Sequence, residues 1–127
     1  MSNFKNFTEL EVHKECRLFR KDISDLAKTF PKEERYLLTS QILDASRSIT
    51  ANIAEGFGRF HFQENIQFCR ISRGSLFETL EHLITAFDEK YISSEKVLEM
   101  KNKHDNCLKL LNGYINYLER AKQNFKK

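Results

Sequence analysis

The chain has 127 residues, which is enough for one hydrophobic core and below the size at which chains usually divide into several domains. Its single proline, four glycines and 31% charged residues are typical of a helical protein and argue against a β-barrel or a disordered chain. Because the formal net charge is only +3, any binding of nucleic acid would depend on local clusters of cations. We therefore predict a single all-α domain over residues 1–127.

The first predicted helix covers residues 9–29 and ends before Pro31. Its apolar residues recur at spacings of three and four, as expected for one buried stripe: Val12, Cys16, Phe19, Ile23, Leu26 and Phe30. The second predicted helix covers residues 32–55, with the stripe Leu38, Ile42, Ala45, Ile49 and Ile53. We expect Gly56 to end this helix in the left-handed conformation.

The third predicted helix covers residues 62–89 after a short loop over residues 57–61. Its expected apolar face consists of Leu76, Leu80, Leu83, Ile84 and Phe87. The fourth covers residues 94–122, is capped by Ser93 or Ser94, and repeats the spacing in Val97, Met100, His104, Cys107, Leu111, Tyr114 and Leu118. Four helices of similar length with short connections predict an up-down-up-down antiparallel four-helix bundle.

Two polar residues, Asn52 and Glu55, lie beside the apolar stripe of the second helix. They could be a catalytic pair, a binding site or a structural network. We favour the network, because most buried polar side chains simply form hydrogen bonds within the fold. A carboxylate in the last helical turn is disfavoured by the helix dipole, so Glu55 needs a donor. The candidates are Arg59, Arg73 and the backbone amides of residues 56–58. If the second and third helices are antiparallel neighbours, Ser75 and Glu78 come near this pair.

Two His-x-x-C pairs, His13 with Cys16 and His104 with Cys107, raise the possibility of a zinc site. If Phe19 pairs with Leu108 at the midpoints of antiparallel helices, the two pairs are about 15 Å apart. This register favours core packing, with an intersubunit metal as the alternative. The chain also lacks the Glu-x-x-His pairs of di-iron bundles and a phosphate-binding glycine loop. We therefore predict no metal, no cofactor, no catalytic residue and no enzymatic activity.

Cations cluster in two segments of the chain. Residues 47–73 carry Arg47, Arg59, Arg70 and Arg73, and residues 120–127 carry Arg120, Lys122, Lys126 and Lys127. The loop around Arg59 and Phe60 mixes aromatic rings with a cation, which suits contact with RNA but also suits packing. The candidate nucleic-acid contacts are Arg47, Arg59, Phe60, Arg70, Arg73, Arg120 and Lys122. The acids of residues 74–95 could pair with basic residues of a second copy, head to tail.

Three widely spaced cysteines are typical of free thiols in a reducing compartment. The first ten residues include Lys5 and Glu9 and contain no apolar run, which predicts no signal peptide. No segment reaches the roughly 18 uncharged apolar residues of a membrane span. We expect a cytoplasmic protein that does not bind a membrane.

Four stretches, in this order and spacing, carry a family resemblance: FPKEERYLLTSQI, SITANIAEGFGR, ISRGSLFETL and LLNGYINYL. Together they resemble the 23S rRNA intervening sequence proteins, a family of small four-helix bundles, over about residues 7–118. The resemblance implies that Asn52, Glu55, Gly56, Ser75 and Glu78 occupy the signature positions of the family. The chain departs from the family pattern at His61, where a serine or threonine often caps the third helix, and at Lys90, which replaces a glycine.

A related branch of the family comprises accessory proteins of diversity-generating retroelements, which form basic pentameric rings and work with a reverse transcriptase and its RNA. The resemblance thus implies a homo-oligomer, with a pentamer as one assembly. It also implies a non-enzymatic protein that binds RNA or supports an RNA-containing complex. The alternative is a protein-interaction module, such as an accessory subunit for a reverse transcriptase.

Overall fold

The computed structural model describes residues 5–126, and of Lys126 only the backbone. It contains four α-helices: α1 (Glu11–Ala27), α2 (Leu38–Gly58), α3 (Phe62–Asp88) and α4 (Ser94–Lys126). Short 3-10 turns at Phe7–Glu9 and Lys32–Glu34 precede α1 and α2. Each helix packs against the next along the chain, and α1 also packs against α4. The predicted up-down-up-down four-helix bundle is thereby confirmed.

The core runs along the centre of the bundle. Its largest fully buried apolar side chains come from all four helices: Phe19, Ile23, Ile42, Ile49, Ile53, Ile66, Leu76, Leu83, Met100, Leu111 and Leu118. The stripes predicted for the first, second and fourth helices face this core, with Leu26 and Val97 half-buried at its edge. Burial of these stripes supplies most of the force that holds the helices together.

The predicted apolar face of α3 is wrong in part, because Ile84 and Phe87 are exposed. Two hydroxyl residues, Ser72 and Thr79, are buried on α3 at positions where apolar residues would be expected. Ser72 donates a hydrogen bond of 2.7 Å to the carbonyl of Ile49 on α2, and Thr79 donates one of 2.8 Å to the carbonyl of Ser75. Since both hydroxyls are small and satisfied, they allow α3 to approach α2 closely.

The second helix begins at Leu38 rather than at residue 32. Lys32–Glu34 forms a 3-10 turn, and the non-helical backbone of Leu37 separates this turn from α2. The Glu34 carboxylate accepts a hydrogen bond of 3.2 Å from the backbone amide of Leu38 and another of 2.7 Å from the hydroxyl of Tyr91. This hydrogen bond from Glu34 raises the pKa of Tyr91 to about 12. Glu34 therefore caps α2 and ties its start to the α3–α4 turn.

The second helix also continues past Gly56 to Gly58, so the prediction that Gly56 adopts a left-handed conformation is wrong. Gly56 is buried where α2 approaches α3. A Cβ atom at this position would lie 2.7 Å from Oδ1 of Asn65 and 2.9 Å from Cβ of Phe68. The left-handed residue is Phe60, with φ of 58°, two residues after the helix ends. Glycine is thus needed at position 56 for close packing and not for its backbone freedom.

The turn between α3 and α4 explains the position at which Lys90 replaces the glycine of the family pattern. Lys90 has φ of 65°, in the left-handed region. The amide of Tyr91 donates to the carbonyl of Ala86, and the amide of Lys90 donates to the carbonyl of Phe87. These two bonds form a Schellman motif, in which glycine is the usual left-handed residue. Of the two predicted caps of the fourth helix, Ser93 and Ser94, the structure shows Ser93, which accepts a 3.0 Å bond from the amide of Lys96.

The register of α1 against α4 differs from the expected one by about one helical turn. The rings of Phe19 and His104 have centroids 6.3 Å apart, and Cys107 lies near enough to Cys16 to raise the pKa of the Cys16 thiol. Phe19 thus lies opposite His104 and not opposite Leu108, so the estimated 15 Å separation of the two His–Cys pairs is wrong. An apolar stripe that repeats every three to four residues fits both registers, so hydropathy alone did not distinguish them.

Candidate nucleic-acid interface

A basic groove lies between α1 and α2, with a volume of about 860 Å³. We define it by its five cationic side chains: Lys14, Arg17, Arg20, Lys21 and Arg47. The other lining residues are Thr8, His13, Leu18, Ser24, Leu43 and Ser46, so no carboxylate lines it among the residues that the structure describes. A groove lined by one sign of charge concentrates ligands of the opposite sign.

The cations of the groove come from one face of α1 and one position of α2. Lys14, Arg17 and Lys21 are spaced by three and four residues, so they lie in a row along the helix, about 10 Å in length. Arg20 lies deeper in the groove, half-buried, and its guanidinium donates a bond of 2.9 Å to the hydroxyl of Thr50 on α2. Arg47 extends from α2 on the opposite wall.

Most of these cations have no acidic partner. Lys14 lies 3.6 Å from the carboxylate of Glu11, but both side chains are exposed, and such a surface ion pair contributes little to the stability of the fold. Within residues 5–126, no carboxylate approaches the side-chain nitrogens of Arg17, Lys21 or Arg47 to within 4 Å. Their positive charge is therefore available to an external anion.

The pKa of His13 is lowered by burial and by two of the groove cations. His13 is buried at the end of the groove near the Phe7 ring, with ring centroids 4.8 Å apart. Burial lowers the pKa of His13 below 6.5, and the charges of Arg20 and Arg17 lower it further. The imidazole is therefore neutral at physiological pH and adds no charge to the groove.

Of the seven residues predicted to contact nucleic acid, only Arg47 lies in the basic groove. Arg59 is paired with Glu55 at 2.9 Å and with Glu64 at 3.6 Å. Arg70 is paired with Glu119 of α4 at 3.2 Å. These two arginines thus have acidic partners within the chain, whereas Arg47 has none within 4 Å among the described residues.

The other arginine of the first cluster, Arg73, is half-buried and donates a bond of 2.8 Å to the side chain of Asn112 on α4. Arg120 is exposed at the surface of α4 near Glu119. The remaining basic residues predicted for the C-terminal cluster, the Lys126 side chain and Lys127, lie outside the described residues.

Phe60 and Lys122 lie together in a second cleft, at the end of the bundle where α2 connects to α3. We call it the aromatic cleft and define it by its lining residues: Phe60, His61, Phe62, Gln63, Lys122 and Phe125. Lys122 donates a hydrogen bond to the side-chain oxygen of Gln63 across the cleft. The structure thus brings two of the predicted contacts together and separates them from Arg47, Arg70 and Arg73.

The five signature positions lie at the contact between α2 and α3 or beside it. Asn52 donates a bond of 2.8 Å to the hydroxyl of Ser48, whose oxygen lies 2.9 Å from that of Ser75. Asn52 and Ser75 are therefore joined through Ser48, a residue that the sequence reasoning did not place in the network. Glu55 accepts from Arg59, and Glu78 lies 3.3 Å from His82 on its own helix.

A buried amide that the sequence analysis missed, Asn65, lies next to Gly56. Its side chain donates a bond of 3.1 Å to the hydroxyl of Tyr114 on α4, and its Oδ1 accepts a weak bond from the thiol of Cys69. Burial raises the pKa of Tyr114 to about 12, although the bond from Asn65 opposes this rise. The signal was present, because Asn65 precedes Cys69, Ser72 and Leu76 at core spacing.

The cysteines and histidines do not form a metal centre. Within residues 5–126, no group of three or more His, Cys, Asp or Glu side chains is placed to hold a metal ion. All three cysteines are free and buried. The hydrogen bond to Cys107 and burial raise the pKa of Cys16, and burial raises the pKa of Cys69 to about 12. The thiols of Cys16 and Cys69 are therefore protonated, and all three buried cysteines act as core residues.

The α1 cations were missed because they alternate with acids along the sequence. Glu15, Asp22 and Asp25 are interspersed with Arg17, Arg20 and Lys21, so a count over the segment is close to neutral. Sorting the residues by helical face separates the two charges, because Lys14, Arg17 and Lys21 follow a spacing of three and four. The facing helix was needed to show that Arg47 completes the groove.

The comparisons with known proteins agree with this architecture. Residues 8–113 match the model of the 23S rRNA-intervening sequence protein family. The chain belongs to this family. The chain is similar in fold to a protein of unknown function from the S23 ribosomal protein family of Bacteroides thetaiotaomicron, known from its crystal structure.

That similarity has a TM-score of 0.76 at 26% sequence identity, over 83% of this intervening sequence protein and 95% of the other chain. No protein with curated annotation is significantly similar in sequence. Among residues 5–126, none of the helices combines the length and the apolar character that crossing a membrane requires.

Proposed function

We propose that this protein is a non-enzymatic RNA-binding protein and that the basic groove between α1 and α2 is its main contact with the RNA backbone. One observation carries this proposal: five cations from two helices line one groove in which no described residue contributes a carboxylate. Phosphate groups are the anions that such rows of Lys and Arg contact in nucleic acids. The family description, which refers to an intervening sequence of 23S rRNA, supports RNA over other polyanions.

The test is the salt dependence of RNA binding. We expect the purified protein to bind structured RNA at low salt, with an affinity that falls steeply as salt rises, because bound cations release counterions from RNA. Replacing two of the exposed groove cations, in a variant with Arg17→Gln and Lys21→Gln, should weaken binding roughly tenfold and reduce the salt slope by about one to two. Fluorescence anisotropy with labelled RNA measures both quantities.

A matched control carries Lys101→Gln and Lys109→Gln, which remove the same charge from the exposed surface of α4. This control should retain most of the affinity, because its cations lie outside the groove. The proposal is wrong if the protein does not bind RNA at low salt, or if both double variants weaken binding equally.

We propose that the protein acts as a homo-oligomer in the cytoplasm. The exposed apolar side chains of α3, Phe77, Ile84 and Phe87, support self-association, since large apolar residues on one helix face are typical of interfaces. A pentameric ring is the assembly that the resemblance to retroelement accessory proteins implies. The three free cysteines suit a reducing compartment.

The second candidate function is that of an accessory subunit that binds a reverse transcriptase and supports its RNA indirectly. The same exposed residues of α3 favour it, because they could contact a different protein. Capture of a polymerase by the purified protein, with no RNA binding by the protein alone, would favour this alternative over direct RNA binding.

A further inference from the structure

The aromatic cleft is a second open surface, distinct from the basic groove. Its volume is about 790 Å³, which lies within the roughly 300–1,000 Å³ typical of ligand sites. Three phenylalanine rings line it, and two of them are unusually accessible: Phe60 is 77% exposed and Phe125 is 84% exposed. Exposed phenylalanines are costly in water, so a cleft made of them indicates a surface that is covered by a ligand.

The local backbone holds Phe60 in this exposed position. Its left-handed φ of 58° is unfavourable for a residue with a Cβ atom. The amide of Phe60 donates to the carbonyl of Phe57, and the two rings have centroids 6.4 Å apart. The strained turn thus directs the Phe60 ring outward at the end of the bundle, while Phe57 remains buried.

The opposite wall of the cleft comes from the last turns of α4. The Phe125 ring meets Phe62 edge to face, with centroids 6.1 Å apart, which leaves its own faces accessible. Among the residues that the structure describes, Lys122 is the one Lys, Arg, Asp or Glu that lines the cleft, so the cleft carries a positive charge. Aromatic faces beside a cation match a ligand that has flat rings and negative charge.

We propose that the aromatic cleft binds unstacked bases of single-stranded RNA, with Phe60 and Phe125 stacking on the bases and Lys122 contacting the adjoining phosphate. The inference rests on the proposed function and specifies the part of the RNA that the protein recognises at this end of the bundle. Stacking requires bases whose faces are free, so the cleft discriminates between a single strand and a duplex.

The experiment compares two single-stranded RNA oligonucleotides of equal length, one with all its bases and one with abasic positions at its centre. Both present the same phosphates, so the basic groove contributes equally to each. We expect the wild-type protein to bind the base-bearing strand at least about tenfold more tightly, since tenfold corresponds to the stacking of a single base. A fluorescent adenine analogue at the centre should lose fluorescence on binding, because it stacks on an aromatic ring.

The variant with Phe60→Leu and Phe125→Leu should lose this preference and the change in fluorescence, while its affinity for the abasic strand and its salt slope stay unchanged. The matched control is Tyr36→Leu, because Tyr36 is an 80% exposed aromatic residue outside the cleft. It should behave as the wild type does. Both leucine substitutions lie on exposed side chains, and far-ultraviolet circular dichroism checks that the helices are retained.

Three results would overturn the inference. Equal binding of the two strands by the wild type would show that the cleft does not recognise bases, while RNA binding by the groove would stand. Loss of self-association in the double leucine variant would show that the cleft contacts a second copy instead. Failure of the wild type to bind either strand or a duplex at low salt would overturn the proposed function together with this inference.

Discussion

Gly56 lacks a side chain at the point where α2 and α3 come closest, beside the buried amide of Asn65. Ser48, Ser72 and Ser75 lie along the same contact and join the two helices by hydrogen bonds or close hydroxyl contacts. At this interface, small and polar residues hold the two helices together, whereas large apolar residues do so elsewhere in the core. Packing between two helices thus explains why this part of the chain carries small and polar residues.

We predict that Gly56→Ala lowers the free energy of unfolding by about 1–3 kcal/mol, because the new Cβ would overlap Asn65 and Phe68. Gly74→Ala is the matched control, since Gly74 lies within α3 and a Cβ there meets no atom within 4 Å. It should raise stability by up to about 1 kcal/mol through helix propensity. Urea denaturation followed by circular dichroism measures both, and equal effects of the two substitutions would contradict the packing argument.

His13 predicts a dependence of stability on pH. The pKa of His13 is lower in the folded state than in the unfolded state. Well above pH 6.5, His13 is neutral in both states, so it does not change the free energy of unfolding there. As the pH falls below 6.5, the unfolded chain takes up the proton first. The free energy of unfolding should therefore decrease until the pH reaches the folded-state pKa, and stay level with respect to His13 below it.

The variant His13→Gln removes this titration. Its stability should fall less than that of the wild type between neutral pH and about pH 5, as measured by urea denaturation at each pH. Parallel pH profiles of wild type and variant would show that His13 is not the group responsible.

At the scale of the elements, the ends of the helices differ from the sequence-based prediction more than the helix interiors do. The start of α2 depends on Glu34, which accepts bonds from Leu38 and from Tyr91 of the distant α3–α4 turn. The end of α3 is a Schellman motif with a lysine at the left-handed position. Helix interiors follow the apolar spacing, whereas helix ends depend on which partners the fold brings to them.

We predict that Lys90→Gly raises the free energy of unfolding by about 1 kcal/mol, because glycine adopts the left-handed conformation without a steric cost. The control Lys90→Ala removes the same charged side chain but keeps the Cβ atom. It should bring no such gain, so a difference in melting temperature between the two variants isolates the backbone strain. Equal melting temperatures would contradict this explanation.

At the scale of the whole molecule, the two candidate RNA surfaces are built from different pairs of helices. The basic groove requires α1 and α2 to lie side by side, and the aromatic cleft requires the end of α4 to reach the turn between α2 and α3. The exposed apolar residues of α3 lie on neither surface. The three proposed contacts, with the RNA backbone, with bases and with other protein chains, therefore fall on separate surfaces of a single chain.

We predict that the protein sediments as a species well above 15.1 kDa, and that Ile84→Lys shifts it toward the monomer by placing a charge on the proposed interface. Ile71→Lys is the matched control, because Ile71 is also exposed on α3 but lies on a different face from Ile84. Sedimentation velocity at several concentrations distinguishes the species. A wild-type protein that is monomeric at every concentration would rule out the ring.

The sequence by itself determined the class of fold, the number of helices and most of the core, because apolar spacing and the position of Pro31 reflect local geometry that every helix obeys. It also determined the family through the stretch from Ser48 to Arg59. Only the tertiary structure decided the α1–α4 register, the role of Gly56 and the grouping of Arg17, Lys21 and Arg47 in one groove. The physical reason is that these features depend on which faces of two helices meet, and a periodic stripe leaves more than one way for them to meet.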